Sequence, residues 1–179
     1  MTLKVHSRLI TAAELGLSPE HTFADLLGSN SSAFIYEKQG LIGWGEALRL
    51  EATGPNRILE LEGSWQEVVA SSEVSDEVNL SGSGLVSFGT IAFSDHSETK
   101  SVLVVPQVII GKSGDRLWLT TINIEKDKAL ELVTFDAPFT PAHFEPGQIN
   151  PEQYMLNVER ALEVISSEEI EKVVLARDL

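Results

Sequence analysis

Glu168-Glu169-Ile170-Glu171-Lys172-Val173-Val174-Leu175-Ala176-Arg177 is the stretch on which the fold turns in this 179-residue chain. Val173-Val174-Leu175 is β-branched and apolar enough for a buried strand. A strand of that kind is normally central, covered on both faces. Alternation places Ile170, Lys172, Val174 and Ala176 on one face and Glu171, Val173, Leu175 and Arg177 on the other. Lys172 therefore stands on an otherwise apolar face. Such a lysine either snorkels its amine to water, or is held in low dielectric, where its pKa falls and it serves as a base near neutrality.

Upstream, Asn150-Pro151-Glu152 has the form of an N-cap, a proline at the first helical position and an acid in the first turn. Tyr154, Val158, Leu162 and Ile165, with Met155 and Ala161 beside them, make a stripe at helical spacing. The spacing predicts a helix to about Ser166 that delivers the chain into the Lys172 strand. Residues 136–151 carry four prolines and no apolar period, which reads as an extended connector.

The rest of the chain reads as hairpins. Residues 33–37 and 41–50 are expected as two strands about Lys38-Gln39-Gly40, with Gly43 and Gly45 marking a face where a neighbour packs closely. No helix start follows this Gly-x-Gly and a third glycine is missing, so it is no phosphate loop. Residues 84–93 are expected as a strand broken or bulged at Gly89. Val102–Ile110 and Arg116–Ile122 are two more, with Pro106 placing the first at an edge or bulge. Residues 2–10 form a first strand with Leu3, Val5 and Leu9 at one parity. Thr11-Ala-Ala-Glu14 has the form of a capping box, and a further helical turn follows His21 and closes at Gly28. Ser64–Ala70 is a short helix with Trp65, Val68 and Val69 inward, and residues 71–84 are a polar, mobile loop. Seven or eight strands in hairpins with two to four helices give an α+β class, a mostly antiparallel sheet flanked by helices.

Thirteen basic against twenty-seven acidic residues leave a charge of −14. Without a basic patch there is no nucleic-acid surface. Cysteine is absent, which removes disulfides, thiolate metal sites and thiol nucleophiles. The start lacks a signal-peptide core, and no run approaches the ~18 apolar residues of a membrane span, so the expectation is a cytoplasmic protein with no membrane partner. The histidines at 6, 21, 96 and 143 are too scattered for a metal site. Asp95-His96 has no serine elbow to serve and reads as a solvated loop.

Lys172-Val173-Val174-Leu175-Ala176-Arg177 after an amphipathic helix resembles the KVVLAR strand of the isochorismate synthases, within the chorismate-utilising enzymes. Gly43-Trp44-Gly45-Glu46-Ala47-Leu48-Arg49 resembles their early hairpin. Phe88-Gly-Thr-Ile-Ala-Phe93 is similar to their FGSFAF phrase, and Val104-Val-Pro-Gln-Val-Ile-Ile-Gly-Lys112 to their VVPEVVIGR. The resemblance implies the N-terminal half of the chorismate-binding, anthranilate synthase-like fold, with residues 1–179 as the first part of one domain and the catalytic C-terminal half absent. It implies that Lys172 is the general base that activates water, where anthranilate synthases typically carry glutamine.

The implied activity is that of an isomerase, with chorismate as the substrate. Water adds at C2, the C4 hydroxyl leaves, and isochorismate forms for menaquinone or siderophore biosynthesis. The general acid and the Mg²⁺ ligands belong to family motifs that follow the lysine strand, so the 179 residues alone are expected to be inactive. A salicylate synthase shares this lysine and adds pyruvate elimination. A noncatalytic β-rich interaction module is the reading from another class. An uncovered Val173–Ala176 strand is expected to leave an apolar patch open or to drive a weak homodimer.

Overall fold

Val108-Ile109-Ile110 is the continuous apolar run that a strand covered on both faces requires, and all three side chains are fully buried. Around it the computed structural model, which describes residues 2–18, 21–28, 30–37, 39–133, 145 and 147–177, places nine strands and three α-helices among the described residues. The strands are β1 (Lys4–Ile10), β2 (Ser31–Tyr36), β3 (Gln39–Trp44), β4 (Leu48–Ala52), β5 (Glu73–Asp76), β6 (Phe88–Thr90), β7 (Ser101–Val105), β8 (Val108–Ser113) and β9 (Arg116–Ile122). The helices are α1 (Arg57–Ser71), α2 (Lys126–Leu132) and α3 (Pro151–Ser166). The chain divides into two units, Met1–Ala137 and Pro138–Leu179.

In the first unit one sheet has six strands in the order β2-β3-β8-β9-β1-β5, and a second has three in the order β4-β7-β6. Every pairing is antiparallel except β1 with β5. The α+β, mostly antiparallel class expected above is the class observed. Side-chain alternation divides the large sheet's two faces. Ile42, Trp44, Val108, Ile110 and Leu119 join Leu15, Leu26 and Ala129 in one core, so two short 3-10 turns (Ala12–Leu15 and Phe23–Leu26) and α2 cover that face. Leu3, Val5, Ile109 and Ile122 face Val105, Leu48, Trp65 and Val68 in the other, so the second sheet and α1 cover this side.

Two expected strands are each divided between the sheets. Residues 41–50 break after Trp44, where Gly45 adopts φ +69°, a conformation that suits glycine. Val102–Ile110 breaks at Pro106-Gln107. The two corners lie side by side: the Gln107 N–H donates to Trp44 O at 3.0 Å and the Ala47 N–H to Val105 O at 2.8 Å. A β-carbon at Gly43 would meet Pro106 Cγ at 2.5 Å, and one at Gly45 would meet Gln107 Oε1 at 2.5 Å. The close approach predicted from the Gly43/Gly45 alternation is this corner.

Other expectations need correction. The loop expected over 71–84 contains β5, whose Glu-Val-Ser-Asp sequence lacks an apolar signal and is ordered by pairing with β1, Lys4 opposite Glu73. Leu9 is exposed and Ile10 is buried instead, because the burial pattern of β1 changes face near its end. Val69 also lies exposed. The strand expected over 84–93 is limited to β6. Thr11 and Glu14 do form a capping box, on a 3-10 turn, with the Thr11 N–H donating to Glu14 Oε2 at 3.0 Å. That bond first, and Arg8 second, hold the Glu14 carboxyl down at about 2.

In the second unit α3 begins as predicted, with Asn150 Oδ1 accepting from the Gln153 N–H at 2.8 Å and Pro151 in the first turn. Most of the connector expected over 136–151 lies outside the described residues. Among the described residues no helix is long and apolar enough to cross a membrane.

Candidate functional site

Lys172 follows α3 directly. Ser167 caps the helix end, its N–H bonded to Glu163 O at 3.0 Å, and Glu168 turns the chain at φ +62°. From Glu171 to Arg177 the chain belongs to no strand or helix. The expected buried strand over Lys172–Arg177 is therefore not formed: a strand needs a neighbour to take its N–H and C=O groups, and among the described residues none pairs with it. Ile170, Lys172, Val174 and Ala176, the expected apolar face, are all exposed, Val174 by 81 %. Among the described residues Lys172 makes no hydrogen bond or ion pair.

The first unit holds a cleft of about 760 Å³ between its two sheets. Ser32, Phe34 and Leu41 line it from the large sheet; Phe88, Val102 and Val104 line it from the small one. Register explains the second wall, since Arg49 and Phe88 flank Val104 while Glu51 and Thr90 flank Val102, and directly paired residues share a face. Two cations, Arg49 and Lys100, stand in this lining. Both are engaged: Arg49 donates to Glu51 at 2.6 Å and to Glu46 at 3.3 Å, and Lys100 donates to Glu51 at 2.5 Å. The Arg49 hydrogen bond first and the Lys100 bond second pull the Glu51 carboxyl below its usual range. Two cations against two carboxylates leave the cluster neutral, so binding a dicarboxylate here would mean breaking ion pairs first.

At the start of α1, Arg57 is a buried cation with a full set of partners. Its Nε donates to Ala92 O at 2.9 Å, one terminal nitrogen to Gly54 O at 2.9 Å and Asp95 at 2.6 Å, and the other to Phe93 O at 3.0 Å. The guanidinium fork thereby fixes the loop after β6. Asp95, expected as part of a solvated loop, is the charge partner of this arginine. Neither Arg49, Lys100 nor Arg57 was legible as part of a site, because each finds its partners through pairing and loop closure at long range.

Among the described residues no three histidine, aspartate or glutamate side chains gather into a metal site. His6 pairs with Glu77 at 3.1 Å, and His21 Nδ1 lies 2.7 Å from Ser18 Oγ, so each is engaged locally.

No curated protein and no solved structure matches the chain. The family described as chorismate binding enzyme matches residues 16–179, a span that takes in the second sheet, every strand of the first except β1, the cleft and Lys172. With that span matched, the chain belongs to the chorismate binding enzyme family.

Proposed function

We propose that the chain is the N-terminal part of an isochorismate synthase in which Lys172 is the base that activates water. The single observation that carries this reading is the family match across Lys172, at the position where the KVVLAR resemblance implies a water-activating lysine. A lysine becomes a base near neutrality only when its ammonium loses water. Lys172 is exposed in this chain, so the reading requires a covering surface supplied by further polypeptide. In that site the Lys172 amine takes a proton from water as the water oxygen bonds to C2 of chorismate. The ring double bonds shift, and the C4 hydroxyl departs with a proton from an acid outside this chain. Mg²⁺ is the cofactor that the resemblance implies, its ligands lie in motifs after Lys172, and no step assigned to Lys172 depends on it. The reaction would be cytoplasmic and its product a precursor for menaquinone or a siderophore.

One base without its acid leaves the departing hydroxyl unprotonated. The purified 179-residue chain is therefore expected to leave chorismate unchanged in a chromatographic assay with Mg²⁺ present. Turnover by this chain alone would overturn the half-enzyme reading.

A further inference from the structure

Glu168-Glu169-Ile170-Glu171-Lys172 has the composition of a helix rather than of a helix end. Glutamate and lysine are good helix formers, and Glu168 with Lys172 is an i,i+4 pair in the favoured order, acid before base. The helix dipole also favours a cation at the C-terminal end over a run of carboxylates. Continued through these residues, α3 would end on Lys172 with Glu168 one turn before it and Glu169 at i,i+3. The chain does otherwise: α3 stops at Ser166, and Lys172 makes no ion pair among the described residues.

What stops the helix is local. The Ser166 hydroxyl donates to Leu162 O at 2.8 Å, and the Ser167 hydroxyl reaches Val164 O at 2.8 Å and Glu169 Oε1 at 3.1 Å. The Ser167 N–H donates to Glu163 O and the Glu168 N–H to Ile165 O, each at 3.0 Å. Each carbonyl from Leu162 to Ile165 thereby has a partner inside the turn, so this end needs no contact from another element. Glu168 then takes φ +62°, the left-handed conformation that closes many helices and is usually given to glycine.

We propose that Ser166, Ser167 and the left-handed Glu168 form a helix stop that keeps Lys172 off α3, which makes them positioning residues for the base. The assignment rests on the reading of Lys172 as that base. On a continued helix the amine would pair with Glu168, and a carboxylate so close favours the charged amine, which cannot take a proton from water. Past the turn, the amine is unpaired and the 173–176 run is free to extend, as its β-branched residues prefer.

Ser166→Ala together with Ser167→Ala removes both hydroxyl contacts and installs strong helix formers. Adding Glu168→Gly to that pair restores a residue suited to the turn and poor in a helix. In the 179-residue chain, backbone chemical shifts are expected to show a helix that ends at Ser166 in the wild type, runs through Lys172 in the double variant and ends near Ser166 again in the triple variant. In the complete enzyme the double variant is expected to lose about tenfold or more in kcat with KM little changed, and the triple variant to recover it. A general loss of stability would not be reversed by a glycine. Lys172→Gln is the reference in the same assay. A double variant whose helix does not lengthen overturns the stop. A lengthened helix with unchanged kcat, beside an inactive Lys172→Gln, overturns the positioning role and leaves the base in place. Near-normal kcat in Lys172→Gln defeats the reading of the base, and the positioning role with it, whatever the shifts show.

Discussion

Lys172→Gln in the complete enzyme is expected to lower turnover by about two orders of magnitude or more, the scale of a general base. Glutamine matches the lysine in reach and keeps a polar head, but it cannot take a proton from water. Because Lys172 is exposed and makes no polar contact among the described residues, the substitution removes no packing and breaks no bond in this part of the chain. The loss should fall on kcat, with the circular dichroism spectrum showing that the fold is kept. Steady-state kinetics on the folded variant is the check. Near-normal turnover would reduce Lys172 to a surface lysine with a solvated amine.

A loss of about 3–5 kcal/mol in stability is expected for Trp118→Ala, the range for large aromatic truncations in a core. Trp118 is 1 % exposed and lies directly opposite Gly111 in the β8–β9 pair. A β-carbon at Gly111 would fall inside its ring, so the indole occupies the space that the glycine leaves. Its Nε1 has no hydrogen-bond partner among the described residues; the cost of truncation is then lost packing and a cavity, not a broken hydrogen bond. Denaturant unfolding followed by circular dichroism should show a lower midpoint at unchanged slope. Gly111→Ala is expected to destabilise by overpacking, about 1–3 kcal/mol, and to be tolerated better once Trp118 is alanine, a coupling that a double-mutant cycle reads directly. A change below about 1 kcal/mol for Trp118→Ala would mean that this contact does not hold the two strands together.

What the sequence made legible follows from where each structural signal resides. The start of α3 was readable because Asn150, Pro151 and Glu152 act within a single turn, and the Thr11–Glu14 box for the same reason. The β2–β3 and β8–β9 hairpins were readable because apolar runs flank short turns. The divisions between β3 and β4 and between β7 and β8 were not, since Gly45 and Pro106 signal a local irregularity while the change of sheet is set by the partner across the corner. β5 was invisible because four mostly polar residues become a strand only through β1. α2 lacked a clear start signal, with Glu125 capping it without a side-chain hydrogen bond.

Lys172 illustrates the converse. Its neighbours Val173, Val174 and Leu175 carry a strong strand propensity, yet propensity supplies no partner for their backbone groups, and the segment stays unpaired among the described residues. The family phrase drew attention to the lysine, whereas its exposure follows from an unpaired backbone that strand propensity does not report. The cleft cations escaped notice for a related reason: Arg49 and Lys100 are far apart in sequence and meet only because β4 and β7 pair and both side chains reach Glu51.

The most direct test of water activation at Lys172 is to run the complete enzyme on chorismate in water labelled with oxygen-18 and to weigh the product. The account predicts isochorismate carrying one heavy oxygen at C2, with the label lost from the reaction when Lys172 is glutamine. A product without label, or labelled isochorismate formed equally well by the glutamine variant, would contradict it.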